Sequence, residues 1–336
     1  MQACVYDRYG GPEVVRIEEV PTPVAGPGEI LIRIVATTVT AGDWRMRSLD
    51  VPRGLGVVAR LAFGLTGPRQ PILGSELSGV VAAIGPGVTR FRPGEAVLGF
   101  PGAKMGCHAQ FRVLAEDGLV VAKPASLSFE EAASLPFGGS TALHFLRKAG
   151  IRRGDTVLVV GASGSVGSAL VQVAKHFGAS VTGVASTANL DLVASLGADR
   201  VVDYTRHDVT RETDRFDIIA DTVGDTSFAR YRRVLRPNGR LLAIAAGVQD
   251  MFAMIWSPLF GRQRVIAGPA AERADDLRQL VTWAEQGVLR AVIDRCYDMS
   301  EIVAAHTYVQ TRRKRGSVVV RVAHEHVGGG TVDGVP

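Results

Sequence analysis

The residue pattern with the clearest chemical meaning is a glycine-rich turn in which Gly161, Gly164 and Gly167 are each separated by two residues. The turn follows a β-branched, strand-like run, residues 156–161, and opens a segment, residues 165–177, with apolar side chains at helical spacing. Small residues there let the backbone approach a pyrophosphate, and the helix N-terminus attracts its charge. The alternative is a tight turn that binds nothing, but strand, turn, helix and strand follow in the order that a dinucleotide site requires.

The loop after the next strand bears on the choice of nicotinamide cofactor. That strand, residues 181–185, is followed by the run Ser-Thr-Ala-Asn at 186–189, and the first acid is Asp191. A carboxylate at the strand end binds the ribose hydroxyls of NADH and repels the 2′-phosphate of NADPH, whereas small hydroxyl groups accept that phosphate. The sequence therefore favours NADPH. NADH is the alternative, because the loop contains no lysine or arginine.

Three cysteines, Cys4, Cys107 and Cys296, are too few and too scattered for a disulfide framework or a four-cysteine zinc site. None of the seven histidines has neighbours at a metal-ligand spacing, so we expect no metal. Residues 1–19 lack the apolar core of a signal peptide, and no run of 18 apolar residues occurs. These features predict a cytoplasmic protein without an integral membrane segment.

The composition is that of a globular protein, with 46% hydrophobic and 21% charged residues in a chain of 336. This excludes a disordered chain, and at about 150 residues per domain it suggests roughly two domains. The net charge of +5 is mild, and basic residues do not alternate with aromatic ones. We therefore expect an anionic small molecule as ligand, and no nucleic acid.

Two changes of pattern divide the chain. Short strands with Gly and Pro turns, such as residues 30–39 and 79–88, predict a barrel-like β domain in the first third. After Pro124 strands and helices alternate, which predicts a parallel, doubly wound sheet. After Pro269 two helices and a final strand could return to the first domain. The glycine-rich tail, residues 324–336, is predicted to be disordered.

Several stretches together resemble the medium-chain dehydrogenase/reductase superfamily, and more closely its zinc-independent quinone oxidoreductase branch, the relatives of zeta-crystallin. They are YGGPEVVRIEEVPTPVAGPGEILIRIVATTVTAGDW, GVTRFRPGEAVLGF, GASGSVG, DYTRHD, RYRRVLRPNGRLLAI and RGSVVVRV. The resemblance implies an α/β fold in which a GroES-like β-barrel catalytic domain carries an inserted Rossmann domain with a doubly wound parallel sheet. The implied catalytic domain comprises residues 1–124 and 269–323, and the implied dinucleotide-binding domain comprises residues 125–268.

The same resemblance locates two positions at which zinc-dependent members bind their metal. The catalytic cysteine would stand in TVTAGDW, which contains none, and the Gly-His-Glu motif is Gly74, Ser75 and Glu76 here. Because zinc needs three or four Cys, His or carboxylate ligands, we expect no zinc. Without a Lewis acid to stabilise an alkoxide, the implied reaction is hydride transfer from NADPH to a quinone or another activated carbonyl or alkene.

Two alternative functions remain open from the sequence. One is an NAD(P)-dependent dehydrogenase of alcohols or aldehydes that works by another route, which the missing zinc ligands disfavour. The other is a non-catalytic NADPH-binding regulatory protein, because dinucleotide binding does not prove turnover.

The predicted contacts to the nicotinamide and pyrophosphate come from separate regions of the chain. The resemblance implies that Thr141 lies near the nicotinamide. Val223, Gly224 and Ala245 end strands on the side at which cofactors bind. The basic run 312–315 either reaches the phosphates or is a solvated helix end. The residues implied at the pyrophosphate are Gly164, Ser165, Val166 and Gly167.

At the adenosine end, the resemblance implies Ser186 near the 2′-phosphate and Tyr204 against the adenosine phosphate. Asn189 is a further candidate contact, although the family often has lysine there. Arg200 or Arg206 could compensate for that missing charge.

For the acceptor, the family's Asn-x-x-Asp turn becomes Thr40-Ala-Gly-Asp43, followed by Trp44 where the branch often has tyrosine. We expect Thr40 to donate a hydrogen bond to an acceptor carbonyl, Asp43 to brace the loop, and Trp44 to form a flat wall. No general acid is assigned, since the proton can come from solvent.

Two apolar segments, residues 53–67 and 251–261, could form a lipophilic entrance, a dimer contact or a membrane-surface contact, and we expect a homodimer.

Overall fold

The computed structural model describes residues 1–50, 56–225, 227–247, 250, 252–254 and 262–324. Parts of both apolar segments, 53–67 and 251–261, lie outside the described residues. So does the tail expected to be disordered, except for His324.

Strands are the main regular elements before residue 124, and strands and helices alternate after it, as the sequence pattern predicts. The strands are β1 (Gln2–Val5), β2 (Arg16–Glu19), β3 (Glu29–Val39), β4 (Leu77–Ile84), β5 (Ala96–Gly99), β6 (Phe111–Ala115), β7 (Val120–Ala122), β8 (Thr156–Val160), β9 (Ser180–Ala185), β10 (Arg200–Asp203), β11 (Phe216–Asp221), β12 (Leu235–Ala243), β13 (Arg264–Ala267), β14 (Ile293–Asp298) and β15 (Ser317–Arg321). The helices are α1 (Ala41–Ser48), α2 (Gly56–Phe63), α3 (Phe129–Ala133), α4 (Pro136–Ala149), α5 (Ser165–His176), α6 (Leu190–Ser195), α7 (Phe228–Tyr231), α8 (Ala274–Glu285) and α9 (Ile302–Gln310).

The first large sheet is mixed, in the order β14-β15-β3-β4-β5-β7, with β6 also paired to β3. Its neighbours are antiparallel except β14 and β15, which are parallel. Ile30, Ile32 and Ile34 alternate along β3 and are fully buried, so one face of the strand packs into a core. In β15, Val318 pairs with Val39 of β3. The end of the chain thus completes a sheet that begins near its start.

The second sheet, within the described residues, has six parallel strands in the order β10-β9-β8-β11-β12-β13. This is the strand order of a doubly wound Rossmann sheet, which confirms the predicted fold class. The order reverses between β8 and β11, and a ligand crevice opens beyond their carboxyl ends. Gly161 follows β8 and Asp221 ends β11, so both border this crevice.

Helix α8 packs into hydrophobic clusters of both halves of the molecule. Leu277 is buried with Leu98 and Phe100 beside the mixed sheet. Leu280 and Trp283 belong to the core of the parallel sheet. The helix therefore joins the two halves, although we expected it to belong to the β domain alone. The domain boundaries at residues 125 and 269 stay predictions.

Candidate active site

The turn between β8 and α5 has the geometry expected of a phosphate-binding loop. Gly161 has a φ of 76°, a conformation that favours glycine. A Cβ on Gly167 would lie 2.1 Å from the Gly161 carbonyl oxygen, so helix α5 could not approach the turn. A Cβ on Gly164 would meet only that same oxygen, at an ordinary contact distance of 3.5 Å. Packing within the protein explains Gly161 and Gly167, whereas the space at Gly164 is free for a ligand.

Helix α5 presents an uncapped N-terminus at this turn. Gly164 is the N-cap residue and supplies no side-chain hydrogen bond, and the first N–H groups of a helix have no intrahelical acceptor. The Ser165 hydroxyl lies 3.3 Å from that of Ser317. A Cβ on Gly138 of α4 would lie 2.6 Å from the Ser165 carbonyl oxygen. Neighbouring elements thus hold residues 164–167, all predicted contacts, together at the helix N-terminus.

A polar cluster lies where β9 ends. Asn189 Nδ2 donates to the hydroxyl oxygens of Ser163, at 3.3 Å, and Ser186, at 3.2 Å. The structure thus brings the predicted Ser186 and Asn189 together beside the glycine-rich turn. Ser163 was missed, although its place inside the glycine motif was an available signal. Hydroxyl and amide groups of this kind suit a 2′-phosphate.

The carboxyl end of β10 adds an acid that the sequence analysis did not consider. Asp203 accepts hydrogen bonds from the hydroxyl groups of Thr187, at 2.5 Å, and Thr205, at 2.7 Å. These bonds hold the pKa of Asp203 below its ordinary value. The carboxylate is therefore engaged in joining the loops that follow β9 and β10.

The two arginines considered near the adenosine phosphate lie at opposite ends of β10. Arg200 begins the strand and forms salt bridges with Glu212 and Asp214. The expectation that Arg200 could replace the missing lysine is wrong, because the strand places it at the end away from the crevice. Tyr204 and Arg206 follow the strand at its carboxyl end, and Tyr204 is 62% exposed.

Asp221 organises the turn after β11. Its Oδ1 accepts hydrogen bonds from the N–H groups of Val223, at 2.8 Å, and Gly224, at 3.0 Å. Its Oδ2 accepts one from the Tyr231 hydroxyl at 3.1 Å. Burial raises the pKa of Asp221 against the effect of these donors. A Cβ on Gly224 would lie 2.5 Å from the Ala245 carbonyl oxygen, so the predicted Val223, Gly224 and Ala245 lie together.

Helix α4 carries Thr141 and is anchored to the other half of the molecule. The Thr141 hydroxyl donates to the carbonyl oxygen of Phe137 at 2.7 Å. The Phe137 N–H group donates to Glu76 Oε2 at 2.6 Å. Thr141 therefore lies one helical turn beyond a residue bonded to a buried carboxylate.

The turn at the start of α1 is closed by its own hydrogen bonds. Asp43 Oδ2 accepts from the N–H group of Thr40 at 2.7 Å and from its hydroxyl at 2.6 Å, and Oδ1 accepts from the Gly74 N–H group at 2.8 Å. These contacts fit a bracing role for Asp43. The Thr40 hydroxyl, expected to meet an acceptor carbonyl, donates to Asp43 instead because the two residues form a capping box. Trp44 is half-buried and packs against the core of the mixed sheet.

Two ionisable groups that we did not single out as site residues lie near each other between the sheets. Glu76 is fully buried and accepts hydrogen bonds from the Thr38 hydroxyl and the Phe137 N–H group. Burial raises the pKa of Glu76 to about 8. Lys314 donates to the Gly316 carbonyl oxygen at 2.6 Å. Burial lowers the pKa of Lys314 to about 8, and the charge of Glu76 opposes this shift.

The residues at the family's metal positions do not fit zinc. The stretch TVTAGDW contains no cysteine, and Ser75 stands at the histidine position, whereas zinc sites use Cys, His or carboxylate ligands. The Glu76 carboxylate is already bonded on both oxygens. Over the parts of the chain that the structure describes, no group of three or more His, Cys, Asp and Glu residues could hold a metal ion.

A Rossmann sheet with an open dinucleotide turn, joined to a mixed β sheet that the chain's last strands complete, defines the class of medium-chain dehydrogenases/reductases. The family model of the alcohol dehydrogenase GroES-like domain matches residues 26–125. The model of the zinc-binding dehydrogenase family matches residues 196–320.

Relatives of known function narrow this class. The 2-methylene-furan-3-one reductase of Solanum lycopersicum is 33% identical over 333 residues, which cover 95% of this chain and 79% of that protein. The chloroplastic NADPH-dependent alkenal/one oxidoreductase of Arabidopsis thaliana is 30% identical with the same coverage, 95% and 79%. The structure of the quinone oxidoreductase from Coxiella burnetii aligns with a TM-score of 0.85 and 28% identity, over 96% of this chain and 99% of that one. The chain belongs to the zinc-independent quinone oxidoreductase branch of the superfamily and is an NAD(P)H-dependent oxidoreductase.

Among the described residues, no helix has the length and apolar character needed to cross a membrane.

Proposed function

We propose that this protein transfers a hydride from NADPH to a quinone or another activated carbonyl or alkene, without zinc. One observation carries the proposal: a dinucleotide turn open at Gly164 occurs in a chain that has no cysteine in TVTAGDW and has Ser75 in place of the histidine ligand. Conjugated acceptors can take up a hydride without a Lewis acid, whereas a simple alcohol must lose one as an alkoxide. The names of the two relatives, an alkenal/one oxidoreductase and a furanone reductase, support the same acceptor class.

The cofactor site is proposed along the carboxyl edge of the parallel sheet. When bound, NADPH supplies the hydride from C4 of its nicotinamide. Residues 164–167 bind the pyrophosphate through their N–H groups and the α5 dipole. Ser186, Asn189 and Tyr204 surround the adenosine phosphate. The residues that position the nicotinamide and exclude water from it are Thr141, Val223, Gly224 and Ala245.

The acceptor is proposed to bind at the first turn of α1. Asp43 keeps Thr40 at the edge of the bound acceptor through the capping box. Trp44 supplies the apolar wall. In this arrangement the α1 turn orients the acceptor.

The test is a panel of acceptors with each cofactor. Purified protein is mixed with NADPH or NADH and with 1,4-benzoquinone, but-3-en-2-one or an aldehyde, and in separate assays with NADP⁺ or NAD⁺ and an alcohol. Absorbance of the reduced cofactor is followed. We expect oxidation of NADPH with the quinone or the enone and no loss of rate after 1,10-phenanthroline. Activity confined to alcohols and aldehydes, or lost to the chelator, would favour the dehydrogenase alternative. Tight NADPH binding without turnover would favour a regulatory protein.

We also propose that the protein is a homodimer located in the cytoplasm. The three cysteines are free thiols, which suits a reducing compartment. Strand β13 ends the parallel sheet and, within the described residues, pairs on one side only, with β12. Such an edge offers unpaired N–H and C=O groups to a second copy of the chain. Cell fractionation tests the location, and recovery in an organelle fraction would contradict it.

A further inference from the structure

A short segment near the end of the chain, residues 312–316, is fixed at both ends to the cofactor edge of the parallel sheet. Arg312 donates from Nη2 to the carbonyl oxygen of Val223 at 2.9 Å, beside the proposed nicotinamide site. Gly316 forms an isolated parallel bridge with Gly164 at the glycine-rich turn. The segment therefore runs along the crevice between the predicted nicotinamide and pyrophosphate contacts.

The same segment is close to the half of the molecule that carries the α1 turn. Arg45 of α1 is near enough to Arg312 for that charge to add to burial in lowering the pKa of Arg45. The charges of Glu76 and Asp294 both act on Lys314. Glu76 in turn accepts a hydrogen bond from Thr38, shortly before α1 begins. Lys314 therefore lies beside the glycine-rich turn and within reach of the charge of Glu76, a residue bonded close to the proposed acceptor site.

The Lys314 ammonium group has N–H donors that its hydrogen bond to Gly316 does not use. It carries three N–H bonds, and Nζ donates to the Gly316 carbonyl oxygen. The residue as a whole is half-buried. Its lowered pKa, about 8, makes the ammonium a stronger acid than an exposed lysine. Trp44, the proposed wall of the acceptor site, has only an indole N–H and is no acid for this step.

The geometry points to Lys314 as the catalytic residue that protonates the reduced acceptor, an inference that rests on the proposed function. It specifies an acceptor whose reduction leaves an oxyanion, such as an enone or a quinone. When a hydride adds to the β-carbon of an enone, a C–H bond forms there and the C=C electron pair shifts toward the carbonyl, leaving charge on its oxygen. The Lys314 Nζ–H bond breaks and an O–H bond forms at that oxygen. The enol then rearranges to the ketone, and water reprotonates the amine.

The test compares Lys314→Met with Lys148→Met, which removes an exposed lysine from the last turn of α4. We expect Lys314→Met to lower kcat for but-3-en-2-one about 100-fold or more, the usual size of a general-acid contribution. The Kd for NADPH, measured by fluorescence, should change less than threefold. Wild-type kcat/KM should fall as pH rises through about 8, when Lys314 loses its proton, and this fall should vanish in Lys314→Met. Lys314→Arg should stay as slow as Lys314→Met, because a guanidinium group does not give up its proton, and Lys148→Met should match the wild type.

A second readout does not depend on turnover. 4-Nitrophenol bound to the complex with NADP⁺ should ionise at lower pH in the wild type than in Lys314→Met, because the ammonium stabilises its oxyanion. A weaker Kd for NADPH with unchanged kcat at saturation would make Lys314 a phosphate ligand and overturn the inference. An unchanged pH profile and nitrophenol spectrum would make it only a counter-ion of Glu76. If the wild type reduces no acceptor, the proposed function fails. If the wild type and Lys314→Met reduce enones at the same rate, only the assignment of Lys314 fails.

Discussion

Among single residues, Gly164 and Gly167 share a motif but are glycines for different reasons. The Cβ of an alanine at position 167 would lie 2.1 Å from a backbone oxygen, whereas one at position 164 would lie 3.5 Å from it. The first requirement comes from the fold, and the second arises only when a ligand lies against the turn. The two alanine variants therefore separate folding from binding.

We predict that Gly164→Ala raises the Kd for NADPH at least tenfold and changes the free energy of unfolding by less than about 1 kcal/mol, because its extended backbone, at φ −77°, accepts a side chain. Gly167→Ala should lower the free energy of unfolding by about 1–3 kcal/mol through overpacking. Urea unfolding and fluorescence titration measure the two quantities. If Gly164→Ala lowered the free energy of unfolding as much as Gly167→Ala does, its weaker NADPH binding would come from a damaged fold. That result would contradict a role for Gly164 in contacting the ligand.

His306 makes the free energy of unfolding depend on pH. It is fully buried on α9, its ring lies 5.5 Å from that of His108, and burial, followed by the charges of His108 and Arg47, lowers its pKa well below 6.5. The unfolded chain therefore binds a proton near pH 6.5 that the folded chain does not.

We predict that the free energy of unfolding is unaffected by His306 above about pH 7 and falls below about pH 6.5, by up to about 1.4 kcal/mol per pH unit. His306→Leu should remove this part of the slope, whereas His207→Leu, at an exposed position, should leave it. Urea unfolding between pH 7 and pH 5 measures it. An identical slope in His306→Leu and the wild type would show that other groups cause the loss.

Among the elements, the loop between β9 and α6 controls the choice of cofactor in our account. We predict that Ser186→Asp raises the Kd for NADPH at least tenfold and leaves the Kd for NADH within threefold, because a carboxylate repels only the 2′-phosphate. Ser195→Asp, at the other end of α6, adds the same charge as a control. Fluorescence titration gives both constants. Equal weakening of NADPH and NADH by Ser186→Asp would place the 2′-phosphate elsewhere.

The elements around the glycine-rich turn could be predicted because their signals are local. The strand, turn and helix at 156–177 follow from the apolar periodicity of that segment. The bridge from Gly316 to Gly164 joins residues far apart in the chain, and no local pattern indicates it. The prediction that the Thr40 hydroxyl bonds to the acceptor did not consider that Asp43, three residues later, accepts a hydrogen bond from the same hydroxyl. Lys314 was one basic residue in a run until the fold placed it beside Glu76.

For the whole molecule, we predict a homodimer that pairs through β13. Light scattering should give about twice the chain mass of 35.6 kDa at micromolar concentration. Amide exchange should protect residues 264–267 in the dimer and release them on dilution, because an unpaired edge strand exchanges with solvent. A mass that remains 35.6 kDa at all concentrations would contradict the dimer.

The central claim, metal-free hydride transfer from NADPH to a conjugated acceptor, is tested most directly by following the hydride itself. Chelator-treated protein is given NADPH deuterated at the transferred position of C4 together with but-3-en-2-one, and the product is examined by NMR. We predict butan-2-one with one deuterium at the former β-carbon and a proton from water at the α-carbon. Unlabelled product, or deuterium on a carbinol carbon formed by carbonyl reduction, would contradict the account.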